Sequence, residues 1–316
     1  FRSTTRDVRR LLNELAAKGV DGIVIDLRGN GGGSLAEATA LTGLFIDTGP
    51  VVQVKDAFGK VEVERDPEPG VVYTGPLAVL VDRDSASASE IFAGAIQDYG
   101  RGLVIGEPTF GKGTVQTLVD LNRYVPGDSS DLGRLRLTMA EFFRVSGGST
   151  QLKGVEPDVR FPSDEDISQY GERSLTNALP WARIEAANYR RLGSTNTSQL
   201  SRQSAARVAR DPGFKMLENR AQALKEVKDQ TRVSLRESDR RAESKRRERL
   251  FKDEQERFLR ARGITPVDEE AEQVDEEALD AQREAIARIQ VEEAARVLAD
   301  SILAEGAARP RAAMRD

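Results

Sequence analysis

The 316-residue sequence contains no histidine and no cysteine. Without cysteine there is no disulfide framework and no thiolate ligand for a metal. Without histidine, the imidazole base that most often activates a catalytic hydroxyl is missing as well. Nucleophilic chemistry is then left with a hydroxyl whose base is a lysine or a carboxylate. Aromatic residues are sparse, 5% with a single tryptophan, and no apolar run approaches the length of a membrane span. The opening Phe1-Arg-Ser-Thr-Thr-Arg6 lacks the apolar segment of a signal peptide. A dominant charge is lacking too: 47 basic against 52 acidic side chains give a net charge of −5, which does not favour nucleic acid as a partner.

What is present is 39% hydrophobic and 31% charged residues, over a length ample for a core and an appendage. Val8, Leu11, Leu12 and Leu15 recur on one face of an amphipathic helix predicted from Thr5 to Lys18. Strand and helix then alternate. Strands are expected at Gly22–Asp26, Val51–Val54, Val61–Glu64, Leu77–Val81, Gly102–Ile105, Thr114–Val119 and Arg136–Arg144, with helices at Leu35–Phe45 and Glu90–Gln97. That alternation predicts an α/β core. Beyond Ser163 the composition moves towards charged, helix-forming residues, with a hinge expected at Leu192–Ser198. From Asp211 onward, above all over Arg232–Arg262, acids and bases interleave at short helical spacing, the pattern of solvated helices laced by local ion pairs. The expected division is a core over 1–162, a connecting helical segment over 163–210 and a charged helical domain over 211–316, with a frayed tail from Gly306.

Two stretches carry chemistry. In Val81-Asp-Arg-Asp-Ser-Ala-Ser-Ala-Ser-Glu90 the serines lie at a turn from a buried strand into a helix, where free backbone N–H groups point outward. Such a turn suits a nucleophile beside an oxyanion hole. It equally suits a plain helix start, with Ser85 or Ser87 as N-cap and Glu90 closing a capping box with Ser87. In Gly106-Glu-Pro-Thr-Phe-Gly-Lys-Gly-Thr-Val-Gln116, Lys112 stands between two glycines that permit close approach to another group. A lysine with an ordinary pKa of about 10.4 is almost wholly protonated at pH 7, so a base here requires desolvation, with Phe110 and Val115 as apolar neighbours. The same residues open like a nucleotide-binding P-loop, but Gly113 stands where that motif needs Ser or Thr, and a strand follows where it needs a helix. A third stretch, Asp26-Leu-Arg-Gly-Asn-Gly-Gly-Gly33, can aim bare amides at a developing negative charge, with Arg28 and Asn30 bracing the loop. No acidic partner supports a dinucleotide site there.

These three stretches together resemble the signatures of the C-terminal processing peptidases, and within them the tail-specific branch. The resemblance runs from near Phe1 through Asn177-Ala-Leu-Pro-Trp181 and, more loosely, into the charged region beyond. It implies a crotonase-like or Clp-protease-like catalytic core, closing near Lys153-Gly-Val-Glu-Pro-Asp-Val159 and followed by a mainly helical region. It makes Ser87 the nucleophile, Lys112 its general base and Gln116 the amide that orients the lysine, with Ser85 and Ser89 as neighbours. The oxyanion hole falls to the N–H groups of Ala88 and Gly33. Asp98, in Gln97-Asp-Tyr-Gly-Arg101, matches an acidic position and receives a supporting role, with capping or pairing to Arg101 as the structural alternative.

The resemblance further implies a serine endopeptidase needing no cofactor or metal, acting in the periplasm on proteins recognised by nonpolar C-terminal ends, in envelope protein processing or degradation. A helical-repeat lipoprotein adaptor is a possible partner for the charged region. The family's PDZ domain, which takes substrate C-termini at a sheet edge, has no counterpart here, because the match begins almost at Phe1. The expectation is a C-terminal portion of a larger precursor. Two alternatives stand beside this reading: a catalytically inactive peptide-binding fragment, and a P-loop nucleotide-binding protein.

Overall fold

The computed structural model describes residues 3–66, 68–124, 131–163, 170–268 and 275–308. Two compact units emerge, one of Phe1–Asp158 with Ser168–Thr195, the other of Val159–Ile167 with Asn196–Asp316.

The first unit is mixed α/β. Its parallel strands β1 (Ile23–Asp26), β4 (Leu77–Val81) and β5 (Leu103–Gly106) lie side by side in that order, with Ile23 opposite Leu77 and Ala78 opposite Leu103. All five residues of β4 are buried, as a parallel strand covered on both faces requires. An antiparallel sheet runs β3 (Val61–Asp66), β2 (Gly49–Asp56), β7 (Arg134–Phe143), β6 (Thr114–Asp120). Three helices pack with these strands: α1 (Thr4–Ala17), α2 (Leu35–Gly43) and α3 (Ala88–Tyr99).

Helix α3 is apolar nearly all round, and its Phe92, Ala93 and Ile96 enter a core with Val79, Val81 and Val104. On another face Ile91, Ala95 and Tyr99 pack with Val51, Val52 and Phe142. Embedding on both sides gives α3 a fixed position, and its first turn carries the serine cluster. In α1 the predicted apolar face is narrower than the spacing suggests: Leu12 is buried and Val8 and Leu15 are half-buried, but Leu11 is exposed. Helix α2 stops at Gly43 rather than Phe45, and Leu44, Phe45 and Ile46 go on into the core through a turn beyond its C-terminus. The strand at β6 removes the helix that a P-loop needs after its lysine.

The second unit holds α4 (Thr197–Val208), α5 (Pro212–Asp229), α6 (Glu237–Ala261) and α7 (Glu276–Ala308). Asp211 caps α5 through the N–H groups of Gly213 and Phe214, with Pro212 in the first turn. Local pairs of the expected kind occur, such as Arg241–Glu237 and Arg288–Glu284. The charges are not all solvated, however. Glu293 is buried and pairs with Arg207 at 2.8 Å, and Arg207 also reaches Asp300 at 2.7 Å. This unit has apolar packing of its own, including Phe161 edge-on to Phe214 at 5.2 Å and buried Phe258, Leu259, Val297 and Leu298. The expected tail lies mostly outside the described residues; α7 extends to Ala308.

Candidate active site

Ser87 sits at the N-cap of α3, just past the turn that leaves β4, with φ 57° and ψ −112°. A non-glycine residue with positive φ is strained, and such strain persists only where the surroundings enforce it. They do so here. Ser85 Oγ donates to Leu27 O at 2.8 Å, Ala86 N donates to Asn30 O at 3.0 Å, and Ser89 Oγ donates to the same carbonyl at 2.9 Å. The serines on either side of Ser87 thus fasten the turn to the glycine loop.

That loop is braced as its sequence predicts. Arg28 donates to both carboxylate oxygens of Asp26, and Asp82 accepts from Gly29 N at 3.0 Å. Asn30 Oδ1 accepts from Gly32 N at 3.0 Å. Gly32, at φ +92°, lies so close to the serine turn that an added Cβ would stand 2.5 Å from Ala86 O and 2.8 Å from Ala88 N. The glycine that permits this approach is therefore Gly32, whereas Gly33 faces open space. The N–H groups of Ala88 and Gly33 have no acceptor among the described residues, so both are free to receive an oxyanion.

Lys112 is half-buried between the buried Gly111 and Gly113. Ser87, Lys112, Gln116, Gly33 and Ala88 all line one cavity of about 400 Å³, together with Leu35, Ile91, Val115 and Phe142. No hydrogen bond joins Ser87 Oγ to Lys112 Nζ, and Gln116 makes none to the lysine. Catalytic contacts of this kind often tighten only when substrate is bound.

A residue that sequence reasoning treated only as a helix cap ties the two stretches together. Glu90 is fully buried. Its carboxyl accepts from Ser87 N at 2.7 Å, Lys112 N at 3.0 Å, Gly111 N at 2.8 Å and Thr109 Oγ1 at 2.6 Å. Burial raises its pKa to about 7, opposed by these same four hydrogen bonds, which favour the ionised form. The capping-box spacing pointed to the first of these contacts, and the pairing of β4 with β5 supplies the rest.

Asp98 does not reach the cavity. It accepts from Arg144 Nε at 3.0 Å, from the Arg144 guanidinium again at 2.6 Å and from Ser146 Oγ at 3.0 Å. The pairing with Arg101 considered from the sequence does not form; Arg101 donates instead to the carbonyls of Phe45, Tyr73 and Gly75. Arg144 directly follows β7, whose Phe142 lines the cavity.

Comparison with known proteins matches residues 1–161 to the model of peptidase family S41, and residues 166–303 to the C-terminal domain of tail specific protease (DUF3340). A tail-specific protease of Haemophilus influenzae is 46% identical over 262 residues, covering 81% of this chain and 38% of that protein. A chloroplastic C-terminal processing peptidase of Tetradesmus obliquus is 37% identical over 158 residues, covering 50% of this chain and 32% of that protein. Among solved structures, a photosystem II D1 C-terminal processing protease matches with a TM-score of 0.46 and 36% identity, over 51% of this chain and 40% of that one. The chain thus spans about two fifths or less of the length of these relatives.

Proposed function

Since the chain belongs to peptidase family S41, we propose that it carries the catalytic centre of a serine endopeptidase built on a Ser87–Lys112 dyad. Ser87 Oγ attacks the carbonyl carbon of a peptide bond while the neutral amine of Lys112 takes the hydroxyl proton. The carbonyl oxygen becomes an oxyanion held by the N–H groups of Ala88 and Gly33. Lys112 then gives its proton to the leaving amine, and the resulting acyl-enzyme is hydrolysed by water with the same amine as base. Gln116, on the wall beside Lys112, orients the amine when substrate closes the cavity.

The observation that carries this reading is the shared cavity: among the described residues, the only hydroxyl-bearing one on strained backbone opens onto the same space as Lys112 and two unspent amides. Leu35, Ala88, Ile91, Val115 and Phe142 supply an apolar wall beside the nucleophile. That wall supports nonpolar side chains at the cleaved position, consistent with protein substrates chosen by nonpolar C-terminal ends. Processing or turnover of envelope proteins in the periplasm, and docking of a helical-repeat lipoprotein adaptor on the second unit, belong to the same proposal. Among the described residues no helix is long and apolar enough to cross a membrane.

The test is cleavage of an unstructured protein with an apolar C-terminus by the full-length protein, beside its Ser87→Ala and Lys112→Ala variants. Loss of cleavage in both, with labelling of Ser87 by a serine-directed reagent, is the expected result. Wild-type turnover in either variant removes the dyad. An unlabelled Ser87 with intact peptide binding leaves the inactive peptide-binding reading instead.

A further inference from the structure

A nucleophile at Ser87 fixes where the scissile carbonyl must lie, and the neighbouring strand fixes how the rest of a substrate can be held. Five consecutive residues of β6, Thr114 to Leu118, line the cavity. Successive side chains of a strand point to opposite faces, so a cavity touching all five runs along the strand's edge. The bulge between Val115 and Gln116 turns the strand locally, but Gln116, Thr117 and Leu118 still alternate beyond it. Among the described residues β6 is the last strand of its sheet, and it pairs with β7 on its inner side. Its outer N–H and C=O groups are those an added strand would use.

Among the described residues the same cavity is lined by one cation beyond Lys112, the exposed Arg136 of β7. Cross-strand register explains why its charge is unspent. Arg134 stands opposite Asp120, whereas Arg136 stands opposite Leu118. Arg136 makes no ion pair or hydrogen bond among the described residues. Accepting Ser87 as nucleophile, we propose that an extended segment of substrate adds to the free edge of β6, and that Arg136 selects a carboxylate on that segment. Thr114, beside the dyad lysine, and Leu118 are four strand steps apart, about 13 Å. The carboxylate should therefore lie about four residues from the scissile bond. It can be an Asp or Glu side chain or the terminal carboxylate of the substrate.

The experiment uses the full-length protein and an unstructured neutral peptide that it cleaves. One Asp is moved through each position on both sides of the cleaved bond, and every peptide is made as free acid and as C-terminal amide. The readout is the ratio of kcat/KM to that of the neutral peptide. A rise of about two- to fivefold is expected at one position three to five residues away, the size of an exposed ion pair. It should shrink as salt is raised from about 50 to about 500 mM. Arg136→Glu should invert the preference towards a Lys-bearing peptide. If the rise appears only with a free terminus at that distance, the terminal carboxylate is the ligand, which also supports the proposal. A flat scan, or the same scan in Arg136→Glu, overturns the role of Arg136 while Ser87-dependent cleavage of the neutral peptide leaves the peptidase reading standing. N-methylation of alternate substrate amides should block turnover in one register, and indifference at every position overturns the edge pairing. Should no peptide be cleaved, anisotropy of the labelled peptides on the protein gives the same comparison, and equal affinity for acidic and neutral peptides overturns the selection.

Discussion

Glu90 accepts a hydrogen bond from Ser87 N at 2.7 Å and another from Lys112 N at 3.0 Å, so one buried carboxyl joins the two segments proposed to carry the reaction. A glutamine there keeps the shape but turns an NH₂ group towards donors. Glu90→Gln should lower stability by about 1–3 kcal/mol, the cost of leaving buried donors unpaired. A misplacement of the dyad by a fraction of an ångström should lower kcat by about 10- to 100-fold with KM little changed. Urea unfolding and steady-state kinetics on the same preparation read both effects, and a variant with wild-type kcat would remove Glu90 from the positioning of the dyad.

The same carboxyl makes stability depend on pH. Burial lifts it from 4.5 to about 7, so the folded chain holds this proton more tightly than the unfolded chain does. The contribution is fully present below pH 4.5 and is lost as pH rises through about 7. A shift of this size corresponds to roughly 3 kcal/mol. The wild type should lose stability relative to Glu90→Gln across that window. Denaturant midpoints compared at matched pH decide the matter, with parallel curves as the contrary outcome.

Adjacent glycines should answer differently to the same methyl group. Gly32→Ala forces a side chain into positive φ and against the backbone of Ala86 and Ala88. It should lower stability by about 1–3 kcal/mol and detach the loop from the serine turn. Gly33→Ala meets nothing within 4 Å and should change stability by less than about 0.5 kcal/mol. Thermal unfolding of the two variants side by side is sufficient, and equal losses would contradict the packing described.

Asp98 and Arg144 form a largely buried pair, with side chains 9% and 18% exposed. Asp98→Ala strips that guanidinium of its carboxylate and should lower stability by about 3 kcal/mol. Arg144→Met added to it should recover part of the loss, because the unpaired charge is then gone. A double-mutant cycle showing simple additivity would mean that the pair is not coupled.

Much of this site is legible in local sequence. The apolar run of β4, the serine-rich turn and the glycines around Lys112 each dictate their own backbone within a few residues. What local reading misses is set by chain segments far apart. Glu90 looks like a cap because its partner three residues back is visible, while Thr109, Gly111 and Lys112 reach it only once β4 and β5 pair. Asp98 invites pairing with Arg101 by proximity in the chain, but the return of β7 brings Arg144 closer. Leu11 carries the right spacing for the core and stays 45% exposed, since the apolar stripe of α1 meets its neighbours over a narrower arc than the helix offers. The burial of Glu293 against Arg207 likewise needs α4 and α7 together, which a charge-rich sequence does not announce.

The positive φ of Ser87 means that the folded chain would be more comfortable without the residue on which its chemistry is proposed to depend. A glycine at this position relaxes the backbone, at the expense of a more mobile unfolded chain, and Ser87→Gly should fold at least as stably as Ser87→Ala by calorimetry while being equally inert. Folding alone would favour that glycine, so a serine held at this angle is what the proposed role of Ser87 would require.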